Sequence, residues 1–237
     1  MVGLSIQYIR ITISEPNDNK TKGIVLKLLE VLERTARRAA PGRAPYFMVV
    51  HLAKSLMIVE AQGTIGRVKL ARMLGLGEGS ARTLIRHLEH AGLIQVTKAG
   101  IAMTNTGAKL YSDLKRGISE ATEIPKSTLT VGPFNVAILV RNAADVIRGG
   151  VEQRDAAIKV GALGATTLIF NRGRLNMPLV NENVFNDIPA VHEALVSKLK
   201  PQENDIIVIG SASDKLTAEF GAIAAALETL KAHKLEA

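Results

Sequence analysis

A glycine-rich turn between two amphipathic segments is the feature of the sequence that most limits how this chain can fold. The turn, GLGEG at 75–79, separates a short apolar-patterned segment at 68–74 from a longer one at 79–91. In the longer segment apolar residues recur at i, i+3, i+4 and i+7, which is the spacing of one face of an α-helix. These residues are Ala81, Leu84, Ile85, Leu88 and Ala91. The pattern predicts two helices joined by a tight turn.

The segments around this pair complete a regular order. A helix is expected over 45–61, with Gly63 just past its end as a carboxyl-terminal cap, and a short extended piece follows at 64–66. Alternating apolar residues after the second helix predict a β-hairpin, and one more helix closes the unit. The expected elements after the pair are a strand at 93–96, a turn at 97–100, a strand at 101–103 and a helix at 106–114.

This order resembles a known DNA-binding module. The run GRVKLARMLGLGEGSARTLIRHLEHAGLI, followed by the hairpin and by TNTGAKLYSDL, is similar to the winged helix-turn-helix of bacterial and archaeal transcription regulators. The resemblance covers residues 45–114 and implies that the helix at 79–91 enters the major groove of duplex DNA. Fold alone does not establish function, which depends on the side chains that this helix presents.

Polar side chains occupy the side of the 79–91 helix opposite its apolar face. Arginine there can bond guanine edges, threonine can touch a base, and a residue at the helix start can cap the helix or bind a phosphate. A solvated surface is the alternative interpretation, because every amphipathic helix needs a polar side. Lys98 lies at the expected hairpin tip, where it is expected to contact phosphate. The predicted DNA-binding residues are Ser80, Arg82, Thr83, Arg86, His87, His90 and Lys98.

The charge of the chain is divided unevenly. Residues 1–126 carry 19 Lys and Arg against 10 Asp and Glu, a net charge of +9, whereas residues 127–237 carry 11 against 12, a net charge of −1. A one-sided basic excess attracts polyanions, which favours double-stranded DNA as a partner. A second basic cluster has two interpretations, phosphate contact or a charged helix end, and the second is slightly favoured. Its members are Arg34, Arg37, Arg38 and Arg43.

The length of 237 residues favours two domains with separate cores. The predicted fold class is α+β, with an N-terminal winged helix-turn-helix domain followed by a C-terminal α/β domain. A strand at 4–13 and a helix at 21–40 are expected before the winged unit, and the apolar stripe at 24–36 is a candidate seam for a homodimer. The predicted divisions are a first domain at 1–118 with its core at 45–116, a linker at 119–129 and a second domain at 130–237 for ligand sensing or dimerisation.

The second domain has two places where a small molecule is expected to bind. One is GGVEQRD at 149–155, where a glycine pair precedes a helix, and the other is GSASDK at 210–215, where a strand runs into a helix whose first amides are free to meet an anion. Neither run is a phosphate-binding loop motif. Structural capping by Ser213 and Asp214 explains the second run equally well. The tentative ligand residues are Gln153, Arg154, Asp155, Ser211, Ser213, Asp214 and Lys215.

Catalysis and metal binding are not expected. The chain has no cysteine, its five histidines form no ligand cluster, and a serine nucleophile at 211 or 213 has only His192 available as a base. No catalytic residue, metal site or cofactor is therefore predicted. In overall layout, and in the run GVEQRDAAIKVGALGATTLIF, the chain resembles archaeal winged-helix proteins that carry a C-terminal domain of uncertain role.

The sequence therefore predicts a cytoplasmic, homodimeric transcription regulator whose second domain senses a small-molecule effector. Neither a signal peptide nor an apolar run long enough to cross a membrane is found in the sequence, so a membrane partner is not expected. Two alternatives remain open. One is an enzyme with its site in the C-terminal domain and a winged-helix tether, and the other is a scaffold whose winged helix binds protein.

Overall fold

The computed structural model of the protein describes residues 30–36, 47–180 and 184–232. Residues 30–36 are helical, as the pattern over 21–40 predicts. The expected strand at 4–13 and most of the basic cluster lie outside the described residues. Within the described ranges no helix is both long and apolar enough to cross a membrane.

The N-terminal unit has the order of elements that the winged-helix resemblance implies. Its strands form one small antiparallel sheet in the order β1-β3-β2, and Thr97 pairs with Gly100 at the hairpin turn. Four helices and the sheet enclose a leucine-rich core. The elements are α1 (Val49–Gln62), β1 (Thr64–Ile65), α2 (Arg67–Met73), α3 (Glu78–His90), β2 (Ile94–Thr97), β3 (Gly100–Met103) and α4 (Asn105–Gly117).

Local chemistry sets the ends of these helices. Gly63 has φ of 65°, so α1 ends where the sequence predicts, at a residue that tolerates the left-handed region. Thr104 begins α4, because its side-chain oxygen accepts a hydrogen bond from the backbone N–H of Gly107 at 3.0 Å. A β-carbon at Gly107 would lie 1.9 Å from the carbonyl oxygen of Leu93. The absence of a side chain at Gly107 therefore lets the first turn of α4 pack against the residue that precedes β2.

The C-terminal unit is built on a five-stranded sheet in the order β4-β5-β8-β6-β7, in which every neighbouring pair is antiparallel. The overall α+β class is therefore confirmed. The elements are β4 (Thr122–Ile124), β5 (Phe134–Val140), a 3₁₀ turn (Ala144–Val146), α5 (Val151–Lys159), β6 (Gly164–Asn171), β7 (Arg174–Asn176), α6 (Pro189–Leu199), β8 (Ile206–Ala212) and α7 (Lys215–Ala232).

The segment expected to be a linker, 119–129, instead contains strand β4 of this sheet. Strand β4 pairs with β5, and the backbone N–H of Ser119 donates to the carbonyl of Leu139 at 2.9 Å. Ile124 and Leu129 are buried. The polar composition of the segment reflects an edge strand with one solvated side, and such a strand has too few apolar residues to show in the sequence pattern.

The central strands of the sheet are covered on both faces. Alternate residues of β5 and β8 pack toward α5 and α7 on one side and toward α6 on the other, which gives three layers. Every residue of β8 is buried. This explains why β5 and β8 appear in the sequence as continuous apolar runs instead of alternating ones.

The expectation of two separate cores is wrong, because α7 belongs to both units. One face of α7 packs on the sheet, and another packs on α1 of the N-terminal unit, so that a single apolar cluster runs through both. The rings of His51 in α1 and Phe220 in α7 lie 4.6 Å apart. Beside them Lys54 and Glu219 form an ion pair.

The proposed dimer seam at 24–36 is also covered within the chain where it is described. Leu32 is fully buried and Thr35 is nearly so, and Glu33 pairs with Lys231 of α7 at 3.3 Å. The apolar stripe therefore has a partner in its own chain over 30–36, while residues 24–29 lie outside the described structure. The sequence pattern predicts that this stripe is buried. It does not identify the surface that buries it.

We expect Gly210→Ala to destabilise the protein by about 3 kcal/mol or more, because the added methyl would lie 2.3 Å from the Ala218 carbonyl oxygen and 2.4 Å from the Ala222 nitrogen. Gly79→Ala is the matched control, since no atom lies within 4 Å of its new methyl. The control should gain about 0.5–1 kcal/mol through helix propensity. Urea unfolding followed by circular dichroism measures both changes. A Gly210→Ala protein as stable as wild type would contradict this packing.

The contact between the two units is expected to weaken in acid. Burial lowers the pKa of His51 below its ordinary value of 6.5, and its Nδ1 accepts a hydrogen bond from the backbone N–H of Met48 at 3.1 Å. The unfolded chain therefore takes up a proton near pH 6.5 while the folded protein resists it. Stability is fully present above pH 6.5 and falls as pH drops below that value, by at most about 1.4 kcal/mol per pH unit from this group.

Unfolding free energies at pH 7 and pH 5 for wild type, His51→Asn and His90→Asn test this effect. The loss on acidification should shrink in His51→Asn. It should persist in His90→Asn, because His90 is exposed. Equal losses in all three proteins would show that His51 is not the group responsible.

Candidate nucleic-acid interface

Helix α3 lies as its sequence pattern predicts, with the apolar side inward. Ala81, Leu84 and Leu88 have no exposed surface, and Ile85 is buried beside them. Three residues on the other side, Arg82, Arg86 and His90, are exposed. Within the described structure no carboxylate pairs with either arginine. The two guanidinium groups are therefore available to an external partner.

The start of α3 differs from the expectation for Ser80. The helix begins at Glu78 with Gly77 at the cap position and no side-chain cap, so Ser80 lies inside the first turn and does not cap the helix. Thr83 donates its hydroxyl to the carbonyl of Gly79 at 3.1 Å, which leaves its methyl and its oxygen lone pairs for other contacts. Ser80 and Thr83 are both partly exposed, next to Arg82.

His87 does not face solvent as predicted. Its Nδ1 lies 2.5 Å from the carbonyl oxygen of Thr35, and its ring meets that of Phe47 edge-to-face at 5.2 Å. These contacts bind α3 to the helical residues 30–36. The helical wheel placed His87 on the polar side correctly, but a segment fifty residues earlier in the chain covers that position. His87 is therefore a packing residue.

Lys98 is exposed at the tip of the β2–β3 hairpin, where it was expected. The turn is closed by Thr97, whose hydroxyl donates to the carbonyl of Gly100 at 3.0 Å. The sequence interpretation overlooked further cations on the same unit. Residues 64–110 contain seven Lys and Arg against two Glu, and all seven are exposed. The four additional cations are Arg67, Lys69 and Arg72 of α2 and Lys109 of α4.

The signal that reveals these additional cations is their placement at the non-apolar positions of short amphipathic helices. Of the second basic cluster only Arg34 is described, and its side chain is exposed on the helical residues 30–36. Arg37, Arg38 and Arg43 lie outside the described residues. Their contact with DNA stays a prediction to be tested by salt dependence.

The first tentative ligand site does not assemble in the C-terminal unit. Gln153 is buried against α7, where its Nε2 donates to the hydroxyl of Thr229 at 3.2 Å. Arg154 and Asp155 lie on the opposite, exposed side of α5 and pair with each other at 3.1 Å. One turn of helix cannot direct these three side chains to one ligand, because consecutive positions point about 100° apart.

The second tentative site is occupied by the chain itself. Ser211 is fully buried in β8 and donates its hydroxyl to Oδ1 of Asn135 at 2.7 Å. Oδ1 of Asp214 accepts the backbone N–H of Thr217 at 2.9 Å and so begins α7. The hydrogen bonds from Thr217 lower the pKa of Asp214.

Lys215 and Ser213 complete that loop without forming an anion site. Lys215 pairs with Glu123 of β4, and this contact raises the pKa of Lys215. Ser213 is exposed. Ligands bind at the carboxyl edge of parallel sheets, but β8 is antiparallel to both of its neighbours. The seven predicted residues therefore do not come together at either of the two expected ligand sites.

Comparisons with known proteins match two families, one in each unit. Residues 53–118 match the family described as the CggR N-terminal DNA binding domain. Residues 131–230 match the family described as a domain of unknown function, DUF4443. The N-terminal unit resembles a DNA-binding domain. The resemblance that the sequence indicated, a DNA-binding unit joined to an uncharacterised C-terminal domain, is confirmed.

A solved structure has the same fold over most of the chain. It is a hypothetical protein from Pyrococcus horikoshii OT3, with a TM-score of 0.62 and 25% sequence identity over 78% of this chain and 99% of that protein. No curated protein matches the chain. The comparisons therefore support DNA binding by the first unit and assign no role to the second.

We expect His87→Ala to lower the free energy of unfolding by about 1–2 kcal/mol, because it removes both the hydrogen bond to Thr35 and the ring contact with Phe47. His90→Ala, one turn later on the exposed side, should change it by less than about 0.5 kcal/mol. Chemical denaturation of both variants checks the difference. Equal, small effects would place His87 on the open surface after all.

Proposed function

We propose that this protein is a transcription regulator that binds duplex DNA by placing helix α3 in the major groove. The observation that carries the proposal is the exposed pair Arg82 and Arg86, without a carboxylate partner in the described structure, on a helix whose other side is anchored in the core. The match of residues 53–118 to a DNA-binding domain supports the same partner.

Different side chains on this surface suit bases and phosphates. Arg82 and Arg86, one turn apart, suit guanine edges, which accept two hydrogen bonds from one guanidinium group. The methyl of Thr83 suits a thymine methyl. Lys98 and the exposed cations of α2 suit phosphates, which position the protein without reading sequence. Ser80 and His90 lie at the two ends of α3, where either can reach the flanking backbone.

Effector sensing by the C-terminal domain is part of the proposal and has one structural support. Oε1 of Gln153 and Oγ1 of Thr167 are buried without a hydrogen-bond partner among the described residues. A buried polar atom of this kind costs free energy until a donor or acceptor meets it. We therefore propose that a small polar metabolite binds near Gln153, between α5 and β6, instead of at the loop residues 211–215.

The enzymatic alternative has less support than regulation. Ser211 is buried and bonded to Asn135, and the ring of His192 packs against that of Phe185, with 4.9 Å between their centroids. These two side chains cannot form a nucleophile and base pair. The scaffold alternative is less favoured because residues 64–110 expose seven cations and only two carboxylates, a charge excess that suits a polyanion better than a typical protein partner.

We also propose that the regulator acts as a homodimer in the cytoplasm. Regulators with this kind of reading helix commonly bind paired half-sites, and two copies supply two helices. A DNA partner in a bacterial or archaeal cell places the protein in the cytoplasm. The dimer contact expected at 24–36 is covered by the chain itself over 30–36, so another surface has to supply it.

Selection of bound sequences from random duplex DNA, followed by anisotropy titration, tests DNA binding. The Arg82→Ala, Arg86→Ala double variant should lose affinity for the selected sequence by about 1–3 kcal/mol for each bidentate contact. It should lose much less on random duplex, because phosphate contacts elsewhere remain.

Arg172→Ala with Arg174→Ala is the matched control, since it removes the same charge from exposed positions of the β6–β7 hairpin. This control should bind the selected sequence as wild type does. Wild-type affinity that does not fall with salt, or a sequence preference that survives in the α3 double variant, would overturn the proposal.

A further inference from the structure

The outer side of α5 carries exposed apolar residues at both ends and a charge pair between them. Val151 and Ile158 are 49% and 48% exposed. Arg154 and Asp155 lie between them, with half of each side chain exposed. These four residues are spaced i, i+3, i+4 and i+7, so they share one side of the helix. The other side, with Ala156 and Ala157, is buried.

Neighbouring loops extend this surface. Leu179 is 87% exposed, and its Cδ1 lies 3.1 Å from the position of a β-carbon at Gly149, just before α5. Val131, also exposed, and Arg154 both lie within 4 Å of the equivalent position at Gly164, and Leu163 beside it is half exposed. We call this surface the α5 patch: Val131, Val151, Arg154, Asp155, Ile158, Leu163 and Leu179. Contiguous exposed apolar surface of this kind marks an interaction site.

The order of chemistry along α5 identifies the partner. In the sequence direction the side chains are apolar, basic, acidic and apolar, and in reverse they are apolar, acidic, basic and apolar. A second copy laid antiparallel across α5 therefore places Val151 opposite Ile158 of that copy and Arg154 opposite its Asp155. The symmetry makes both contacts occur twice. The patch has no net charge, so it does not suit a polyanion.

We propose that two copies of this chain associate through the α5 patch around a two-fold axis that passes between positions 154 and 155. The apolar ends supply most of the binding free energy. The four central charges form a closed, alternating ring that fixes the antiparallel direction, because a parallel arrangement would set like charges side by side. The use of this dimer on paired DNA half-sites rests on the proposed function, whereas the contact itself does not.

Charge reversal gives a test that separates this interface from any other. Arg154→Asp places two acidic residues against two acidic residues of the second copy, and Asp155→Arg does the same with basic residues. Each variant alone should weaken the dimer at least about tenfold. A mixture of the two should associate again, because each then meets the opposite charge.

Sedimentation velocity of the full chain without DNA measures association. The sedimentation coefficient of wild type should correspond to a dimer of the 25.4 kDa chain. The coefficients of the single variants should shift toward that of the monomer. The mixed pair should return to the dimer. Arg174→Asp, an exposed arginine outside the α5 patch, is the control and should behave as wild type. Circular dichroism checks that every variant is folded.

A monomeric wild type at about 100 μM would overturn the proposal, since association depends on concentration. A dimer that neither reversal weakens would also overturn it, because the contact would then lie elsewhere. Reversal variants that lose the dimer without regaining it in the mixture would overturn the antiparallel pairing. If the dimer passes all of these tests but the protein does not bind DNA, this inference stands and only the proposed function is contradicted.

Discussion

Helix α7 can lie directly on strand β8 because Gly210 presents no side chain to it. A β-carbon at that position would collide with the backbone of α7 at Ala218 and Ala222, and Gly221 keeps the facing side of the helix equally small. Close approach places the alanines of α7 in contact with the sheet, where each small side chain contributes dispersion and apolar burial. The remaining sides of α7 then meet α1 and the helical residues 30–36. The three-layer unit and the N-terminal unit are therefore held by the same helix.

This arrangement connects the proposed reading helix to the C-terminal domain through ordinary packing. The first turn of α7 contacts the N-terminal unit: Cδ2 of Leu216 lies 2.9 Å from the position of a β-carbon at Gly75, which is in the turn between α2 and α3. His51 and Phe220 pack together one turn further along, and Lys54 pairs with Glu219 beside them. The start of α7 therefore packs against the turn that precedes α3. The α5 patch lies on the same three-layer unit, because α5 packs against α7 through Gln153 and Ala157.

The success of the sequence interpretation depended on how far apart the contacting residues are in the chain. The inward side of α3, the cap at Gly63 and the tip position of Lys98 were all predicted, since each depends on residues within about two turns of itself. His87 was assigned wrongly because its partner, Thr35, lies 52 positions away. Ser211 and Lys215 were grouped as one site because they are adjacent in sequence, yet β8 buries one and β4 pairs the other. Arg154 and Asp155 are predicted to bind a ligand with Gln153, but they pair with each other on the exposed side of α5.

The sequence by itself determined the helices, the hairpin, the uneven charge and the presence of an amphipathic helix with two outward arginines, because periodicity and local capping operate over a few residues. The tertiary structure decided which apolar faces find cover inside one chain. The apolar stripe over 30–36 and most of α7 are covered, while the outer side of α5 is not. The spacing of apolar residues alone does not distinguish these cases. Strand direction was likewise decided only by the fold. In the sequence β5, β6 and β8 are similar apolar runs, and only the structure shows that β8 is antiparallel to both β5 and β6. The physical reason is that burial is a property of the assembled surface and not of any single segment.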